Sequence, residues 1–350
     1  MTSGPSRPPA LDLLVAGGGP AGLATALHGA RAGLRVAVLE PRPAPIDKAC
    51  GEGLMPGAVR ELRALGIALE GQPIRGIRYL DGAQSVAAAF RAGPGLGVRR
   101  TRLQAAMTDA VREAGIEVIP GRAAEVRGGP DRIEVDGRAA RYLAVADGLH
   151  SPLRRRLGLD RPARTGDRPR WGTRQHLAVA PWTDLVEVHW APHSEAYVTP
   201  VGPGEVGVAV LSSVQAPFAQ QLAAFPALAE RLAGCDHTSA VRGAGPLRQR
   251  TRARVAGRAL LVGDASGYVD ALTGEGIAVS LHCARALVEC IAADDPGAYE
   301  ARWRRASRRY RALTSALLWA RSQPALARRI VPLSTRLPRV FDHAVQQLAG

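Results

Sequence analysis

Residues 11–40, LDLLVAGGGPAGLATALHGARAGLRVAVLE, constrain the fold of this chain more than any other stretch. The run Leu11–Ala16 is apolar apart from Asp12 and does not alternate, which is typical of a strand buried on both faces. A glycine-rich turn follows it, then a helical stretch that ends at Gly33, and then a second apolar run over residues 35–39. This order predicts a strand, turn, helix and strand that form one βαβ unit.

The turn has the spacing G-x-G-x-x-G, with glycines at 17, 19 and 22. Gly17 permits the tight turn, Gly19 lets a pyrophosphate approach the backbone, and Gly22 lets the helix pack closely on the strand. The helix that opens at Pro20 and Ala21 offers free N–H groups and a partial positive charge to phosphates. The alternative is a glycine-rich turn with a purely structural role.

Glu40 closes the second strand, where its carboxylate can accept hydrogen bonds from both hydroxyls of an adenosine ribose. A bare G-x-G-x-x-G is weak evidence. Placed after a strand, before a helix, and followed by an acid at the end of the next strand, it predicts dinucleotide binding.

A second corner of this kind occurs in GRALLVGDASGYVDALTGEGIAVSL. The predicted strand Ala259–Val262 ends at Asp264, and Thr273–Gly276 opens a helix that continues through Cys290. Again a strand delivers a carboxylate, and a glycine-rich helix start points N–H groups at an anionic or electron-rich group.

Between these corners the pattern changes. We expect an extended loop around Cys50–Gly53, a helix from Pro56 to Gly66, a hairpin that turns at Asp81–Gly82, and an amphipathic helix in VRRTRLQAAMTDAVREAG. Residues 171–214 alternate between apolar and polar positions with Pro/Gly turns, which predicts an antiparallel sheet, and 217–234 is predicted to be helical. The last stretch, 298–347, is predicted to be helical with interruptions at Pro324, Pro332 and Pro338.

The formal charge of +15 is almost entirely arginine, because Lys48 is the only lysine. Residues 301–350 contain eleven arginines and one acid, Asp342, so this segment could meet anionic lipid, nucleic acid or an acidic partner, or could be a solvated helical face. The four cysteines show neither C-x-x-C pairing nor metal-ligand spacing, which suits a reducing cytosol and predicts no metal site. No apolar run reaches 18 residues, and MTSGPSRPP is typical of a loose tail rather than a signal peptide, so we expect a cytoplasmic protein, at most peripheral to a membrane.

Three motifs, GGGPAG with Glu40, ADGLHSPLR, and GDASGYVDALTGEGI, stand in one order. Together they resemble the FAD-dependent superfamily that contains group A flavoprotein monooxygenases and geranylgeranyl reductases. The resemblance implies an α/β (α+β mixed) fold: a Rossmann-like FAD-binding domain of the glutathione-reductase/aromatic-hydroxylase type, an inserted antiparallel-sheet substrate domain, and a helical C-terminus. The implied FAD-binding domain is discontinuous (10–75, 98–165 and 250–290), the substrate domain covers 76–97 and 166–249, and 291–350 is an arginine-rich helical segment.

The resemblance also implies roles for individual residues. Gly17, Gly19 and Gly22 would hold the FAD pyrophosphate, with Pro20 and Ala21 in the same turn, Glu40 the ribose, and Arg42 the edge of the adenine. The remaining positions implied to contact FAD are Arg100, Asp147, Gly148, Asp264, Gly274, Gly276 and Ile277. The last three would place N–H groups at the flavin N1–C2=O edge and so stabilise the anionic reduced flavin.

For chemistry, the resemblance implies a monooxygenase that takes electrons transiently from NADPH or NADH and oxygenates an apolar aromatic or polycyclic molecule of specialised metabolism through a flavin C4a-hydroperoxide. The alternative is a geranylgeranyl-reductase-like enzyme that saturates prenyl C=C bonds at a membrane surface, with the basic segment 302–311 on anionic lipid. The loop DKACGEGL and the residues Ser266–Gly267 lie closer to the reductase branch, whereas the reductase motif Y-x-W-x-F-P is missing from YVTP at 197–200. A nucleic-acid-binding protein on a vestigial flavin fold is a third class, which we do not favour. The sequence leaves the oligomeric state open.

The candidate catalytic residues are Cys50, Glu52 and Tyr197. The Cys50 thiol could be a gate or proton donor over the flavin, or a small residue packed in a tight loop. Glu52 could be an acid or base near the substrate, or an exposed loop carboxylate. Tyr197, with His176 and Trp190, could line the pocket or belong to ordinary sheet packing.

Overall fold

The computed structural model describes residues 11–82, 84–164 and 166–349. The N-terminal stretch that we predicted to be a loose tail therefore lies outside the described residues.

The strands, in chain order, are β1 (Leu11–Ala16), β2 (Val36–Glu40), β3 (Gly53–Leu54), β4 (Gln72–Ile74), β5 (Gly76–Asp81), β6 (Gln84–Ala89), β7 (Gly95–Gly97), β8 (Glu117–Pro120), β9 (Val126–Gly128), β10 (Ile133–Val135), β11 (Arg138–Val145), β12 (Asp160–Arg161), β13 (Trp171–Leu177), β14 (Leu185–Trp190), β15 (Ser194–Gly202), β16 (Glu205–Ser212), β17 (Arg242–Ala244), β18 (Arg250–Thr251), β19 (Val255–Ala256) and β20 (Ala259–Leu261). The α-helices are α1 (Pro20–Arg31), α2 (Pro56–Ala64), α3 (Arg100–Glu113), α4 (Pro152–Arg156), α5 (Phe218–Leu222), α6 (Pro226–Arg231), α7 (Gly276–Ala292), α8 (Tyr299–Ser322), α9 (Pro324–Ala327), α10 (Ile330–Arg336) and α11 (Pro338–Ala349), with 3-10 turns at Gly263–Ser266 and Pro296–Ala298.

The first sheet has the order β19-β20-β11-β1-β2-β8, with β10 and β9 added beside β11. Its core pairs are parallel. Strand β1 lies between β2 and β11, and its residues 13–16 are buried, as the apolar run predicted. Helices α1, α3 and α7 share one hydrophobic core with one face of this sheet. The predicted βαβ unit is confirmed, and the carboxyl ends of β1, β11 and β20 meet at one edge.

The second sheet has the order β17-β13-β16-β15-β14-β5-β6. Its pairs are antiparallel as predicted, except that β14 runs parallel to β5, which belongs to the predicted hairpin. One face packs on α5 and α6. The opposite face of the sheet packs on helices α8, α10 and α11. Strands of the first sheet fall within the segments predicted for FAD binding, and those of the second within the predicted substrate segments; the domain boundaries stay a prediction.

The chain after residue 216 corrects two predicted details. The segment 217–234 is two short helices, because Pro226 starts a second one. Pro332 does not interrupt a helix; it lies in the first turn of α10, where an N–H group has no intrahelical partner to lose.

The aromatic side chains of the segment 302–311 face inward rather than toward a membrane. The Trp303 Nε1–H donates to Ser266 Oγ at 2.9 Å, and the Tyr310 hydroxyl donates to the Asp270 carbonyl at 2.8 Å. These two residues are therefore not available to lipid, and contact of the basic segment 302–311 with a membrane stays a prediction. Within the described ranges, no helix combines the length and apolar character needed to cross a bilayer.

A buried charge cluster ties α8 to the second sheet. Glu195 on β15 is fully buried and pairs with Arg170 at 2.5 Å and with Arg321 near the end of α8. Asp270 lies 3.3 Å from Arg170, and burial raises the pKa of Asp270 to about 6, against the opposing effect of Arg170. Because Arg321 of α8 and Arg170 both pair with the Glu195 carboxylate, the cluster fixes α8 on the second sheet.

We expect Glu195→Gln to lower the free energy of unfolding by about 3 kcal/mol, because it leaves the buried guanidinium of Arg321 without its carboxylate and that of Arg170 with Asp270 alone. Urea unfolding followed by circular dichroism measures this. Glu125→Gln is the matched control, since Glu125 and its partner Arg127 are both about three-quarters exposed and their pair contributes under about 1 kcal/mol. Equal stability of the two variants would contradict the role of the cluster.

Candidate active site

The turn after β1 has the geometry of an anion-binding corner. A Cβ on Gly17 (φ +117°) would lie 2.3 Å from the Ala146 carbonyl oxygen, and one on Gly22 would lie 1.8 Å from the Gly17 carbonyl oxygen. Neither position can therefore carry a side chain. Gly19 differs, because a Cβ there would meet nothing within 4 Å, so open space lies in front of this residue at the start of α1. Pro20 and Ala21 form the first turn of α1, whose first N–H groups are free for a ligand.

Glu40 lies at the end of β2, beside this turn. Its Oε2 accepts the Gly18 N–H at 2.7 Å, and its Oε1 accepts the Arg42 Nε–H at 2.7 Å. Burial opposes ionisation, but these hydrogen bonds hold the pKa of Glu40 below its ordinary value. Glu40 is thus an ionised acceptor at the predicted ribose position, and Arg42 is fixed next to it.

Two buried polar atoms face the same cleft without a hydrogen-bond partner among the described residues. One is Nη1 of Arg100, at the first residue of α3, and the other is Oδ1 of Asp147, just after β11. Burial lowers the pKa of Arg100 and raises that of Asp147. A guanidinium donor and a carboxylate acceptor left unpaired in this way match a phosphate oxygen and a hydroxyl group, both of which FAD carries. The residues present therefore fit this cofactor.

Lys48 and Asp264 complete the charge of the cleft. The Lys48 ammonium lies 3.1 Å from where a Cβ of Gly148 (φ +89°) would be, and it interacts with Asp264 after β20. Burial among protein atoms and the nearby Arg42 lower the pKa of Lys48, although part of its side chain is exposed. Burial raises the pKa of Asp264, against Lys48 and Arg100. The two motifs around Asp147 and Asp264 thus meet across one cleft, as the resemblance implies.

The start of α7 forms the other end of the cleft. Gly274 has a φ of +70°, and Gly276 and Ile277 are the first residues of the helix, so their N–H groups have no intrahelical acceptor. Glu275, between Gly274 and Gly276, is buried, and its Oε2 has no hydrogen-bond partner among the described residues. Burial raises the pKa of Glu275 to about 7, and Arg309 acts in the opposite direction.

The loop 50–53 lies against the second sheet and the start of α3. Burial raises the pKa of the Cys50 thiol, with Arg100 opposing and Glu52 adding to the shift, so the thiol is protonated at neutral pH. The Glu52 N–H points at the Cys50 sulfur at 3.4 Å. Glu52 is buried rather than exposed, and its backbone has a positive φ of 60°, which is uncommon for a residue other than glycine.

Both carboxylate oxygens of Glu52 are occupied. Oε1 accepts the Arg100 backbone N–H at 2.7 Å, and Oε2 lies 2.6 Å from His176 Nε2 on β13. The other ring nitrogen of His176 lies 2.8 Å from Ser239 Oγ. Arg174, two residues before His176, is fully buried and pairs with Asp47. The network therefore joins the loop, α3 and the second sheet.

Sequence reasoning missed Arg174, Asp47 and Ser239. The sequence feature that points to Arg174 is its position two residues before His176 in a predicted strand, which places both side chains on the same face. A charged residue on the inward face of a strand indicates a buried ion pair.

Aromatic side chains cover the inward face of the second sheet near this loop. The Tyr197 hydroxyl donates to the Leu272 carbonyl at 2.8 Å, in the loop before α7. Tyr79 lies 5.3 Å from Trp190 and 4.9 Å from Phe341 of α11, measured between ring centroids. With Val188, Leu211, Leu272 and Met55 these residues form one apolar cluster. The site thus combines a charged cleft with an aromatic wall.

Comparisons with known proteins agree with this geometry. The profile of the FAD binding domain family matches residues 10–298. A menaquinone reductase of Mycobacterium tuberculosis is 31% identical over 81% of this chain and 77% of its own length. The protoasukamycin 4-monooxygenase of Streptomyces nodosus subsp. asukaensis is 30% identical over 83% of this chain and 82% of its own. Among solved structures, the flavin-dependent brominase Bmp2 superposes with a TM-score of 0.83 at 16% identity, over 97% of this chain and 94% of the brominase, which shows a shared fold.

We expect Gly19→Val to weaken FAD binding by roughly 100-fold, equivalent to about 3 kcal/mol, because the new side chain projects into the space in front of α1. The backbone there is extended (φ −77°, ψ 174°), so valine fits without strain and the apoprotein keeps its melting temperature. Titration of apoprotein with FAD, followed by flavin fluorescence, gives the dissociation constant. Gly128→Val is the control, since a Cβ there also meets nothing within 4 Å. Normal FAD affinity in Gly19→Val would refute the assignment of this turn.

Glu275→Gln tests the carboxyl group at the start of α7. Because the pKa of Glu275 is raised to about 7, folding stability from its protonated form is present at low pH and is lost as the pH rises through 7. Because glutamine does not ionise, the Glu275→Gln variant does not lose this part of its folding stability as the pH rises. Its free energy of unfolding relative to wild type should therefore rise by about 2 kcal/mol between pH 5.5 and pH 8. Denaturant unfolding at both pH values measures the change, and a difference that does not depend on pH would contradict the raised pKa.

Proposed function

Because this chain belongs to the FAD binding domain family, we propose that it is an FAD-dependent monooxygenase that consumes NADPH or NADH and oxygenates an apolar aromatic or polycyclic small molecule. The observation that carries the proposal is the match over residues 10–298 together with a monooxygenase relative aligned over most of both chains. The aromatic wall of Tyr79, Trp190 and Tyr197 supports a flat apolar substrate. We place this activity in specialised metabolism.

The chain's own residues divide the work at the cofactor. FAD, when bound, accepts electrons from the nicotinamide and makes them available to oxygen. The N–H groups of Gly276 and Ile277, with the positive end of α7, would favour negative charge on the reduced cofactor. Arg100 and Asp264 would hold its phosphate and ribityl part.

The electron donor has to use the same cleft. The spacing G-x-G-x-x-G recurs once, at 202–207, but there it spans the turn between the antiparallel strands β15 and β16 and no helix follows it. We therefore infer a transient nicotinamide site near the Asp147–Gly148 turn. Arg42 and Lys48 lie at the open side of the cleft there, and their positive charge suits the phosphates of NADPH or NADH.

The candidate catalytic residues take different roles in this proposal. Glu52 and Tyr197 are positioning residues, because their polar atoms are occupied by Arg100 and His176 and by Leu272, respectively. Cys50 keeps a neutral thiol, and its one hydrogen-bond partner among the described residues is the Glu52 backbone N–H. This suits contact of the thiol with the cofactor or substrate.

A reductase acting on a lipid quinone is the second candidate. It is favoured by the relative named menaquinone reductase, which aligns with 81% of this chain. Saturation of prenyl C=C bonds stays a prediction from the sequence alone.

Oxygen consumption separates these functions. The holoenzyme is mixed with NADPH or NADH and with aromatic and polycyclic compounds, while nicotinamide oxidation, oxygen uptake and hydrogen peroxide are recorded together. Substrate-stimulated oxygen uptake without an equal yield of peroxide supports monooxygenation. Anaerobic nicotinamide oxidation with menaquinone, and no oxygenated product from any aromatic compound, would replace it with the reductase function.

Cys50→Ser should keep its bound flavin and lower turnover by about 10-fold or more, because serine preserves the size of the side chain but not its sulfur chemistry. The flavin content is measured by absorbance of the purified variant and turnover by nicotinamide oxidation. Cys235→Ser, in a cysteine outside the cleft, is the control. A colourless Cys50→Ser protein would show that Cys50 serves cofactor binding instead.

A further inference from the structure

Exposed large apolar side chains are concentrated near the C-terminal end of the described chain. Six such residues are more than two-fifths exposed, and three of them, Leu333, Leu337 and Val340, follow one another at α10 and the start of α11. Isolated exposed apolar residues are ordinary, whereas a contiguous set marks an interaction surface.

These three residues lie at the junction of α10 and α11, and we call this set the outer row. The Leu337 N–H donates to the Leu333 carbonyl at 2.8 Å, and the Val340 N–H donates to the Leu337 carbonyl at 3.0 Å. These bonds keep the three residues in successive turns of the chain at this junction, where Leu337 (φ −122°, ψ 60°) lies between the two helices and all three side chains are exposed. Val340 is 64% exposed and Leu337 is 53% exposed.

The opposite side of the same helices is fixed to the protein. Val331, Phe341, Val345 and Leu348 are buried in the apolar cluster with Tyr79. The Gln346 amide donates to the Ala89 carbonyl at 2.7 Å, and Asp342 pairs with Arg91. The two helices are therefore docked on the protein by their buried side, while the residues of the outer row keep 42% (Leu333), 53% (Leu337) and 64% (Val340) of their surface exposed.

The charge around the outer row has one sign. Arg328, Arg329, Arg336 and Arg339 are exposed, and none of them has an ion-pair partner among the described residues. No acid occurs from 322 to 341, and the next one, Asp342, is already paired. Unpaired guanidiniums beside aliphatic tips complement an anionic surface that is apolar just below its charge.

We propose that the outer row and its four arginines dock this protein on an anionic lipid bilayer. Leu333, Leu337 and Val340 enter the boundary between headgroups and acyl chains, and the arginines contact lipid phosphates. Exposed aliphatic side chains beside unpaired guanidiniums favour an anionic bilayer over a protein partner, whose interface would need complementary packing and a larger area. The surface differs from the segment 302–311, whose aromatic residues are buried.

This docking places the substrate site close to the lipid. Phe341, on the inner side of α11, contacts Tyr79 of the aromatic wall, so only this helix pair separates the outer row from the wall. A lipid-dissolved apolar substrate would have a short path to the site. That link rests on the proposed function, whereas the docking itself does not depend on any turnover.

Vesicle sedimentation of the holoprotein tests the proposal without an activity measurement. We expect wild type to sediment with phosphatidylcholine/phosphatidylglycerol vesicles, to stay in solution with phosphatidylcholine alone, and to be released by high salt. The triple variant Arg328→Ala/Arg336→Ala/Arg339→Ala should lower the partition coefficient by roughly 100-fold. Leu333→Ser/Leu337→Ser/Val340→Ser should lower it by about 10-fold or more.

Matched controls separate the surface from overall charge and hydrophobicity. Arg122→Ala/Arg132→Ala/Arg138→Ala removes the same charge from exposed arginines in another part of the chain, and Val214→Ser/Val241→Ser removes exposed apolar residues elsewhere. Both should sediment like wild type, with unchanged melting temperature and flavin content in all variants. Loss of binding equal to that of the test variants, or no binding of wild type to anionic vesicles, overturns the proposal. Self-association of wild type that the serine variant abolishes, without vesicle binding, would assign the outer row to a second copy of the chain instead.

Discussion

The buried carboxylate of Glu52 is the contact on which the geometry of the cleft depends. It accepts the first N–H of α3, meets His176 on the second sheet, and belongs to the loop that contains Cys50. A carboxylate is stable in the protein interior only when its oxygens are satisfied, so the three elements have to stay together. The positive φ of Glu52 is maintained by these contacts, and it turns the loop toward the cleft.

Glu195 plays a comparable part farther along the same face of the second sheet. There the carboxylate holds Arg170 and Arg321, so that α8 is fixed to β15, and Tyr197, two residues along, reaches the Leu272 carbonyl. The loop before α7 is thus tied to the sheet by a neutral hydrogen bond next to a charged cluster. The aromatic wall and the N–H groups of α7 consequently keep a fixed spacing, which a site for a flat molecule between them requires.

The sequence predicts the cofactor corner well because glycine spacing and strand order follow from local sterics. Gly17 and Gly22 cannot carry a Cβ, and Glu40 stands at the end of β2 as expected. The interior ion pairs could not be predicted in the same way. Arg174 and Glu195 are 25 and more residues from some of their partners, and no periodic pattern relates residues that meet only through sheet pairing. For Glu52 the sequence leaves two interpretations open, an acid or base near the substrate and an exposed loop carboxylate, because its burial depends on strands that come much later in the chain.

The single lysine has a practical consequence for work with this molecule. Lys48 lies over the turn that contains Gly148, at the open side of the cofactor cleft, and every other basic residue except histidine is an arginine. Amine-reactive reagents therefore have one internal target, and that target is inside the cleft. Immobilisation or dye labelling through lysine would obstruct the cofactor cleft. The extent of acylation of this one amine can instead report how far the cleft is filled.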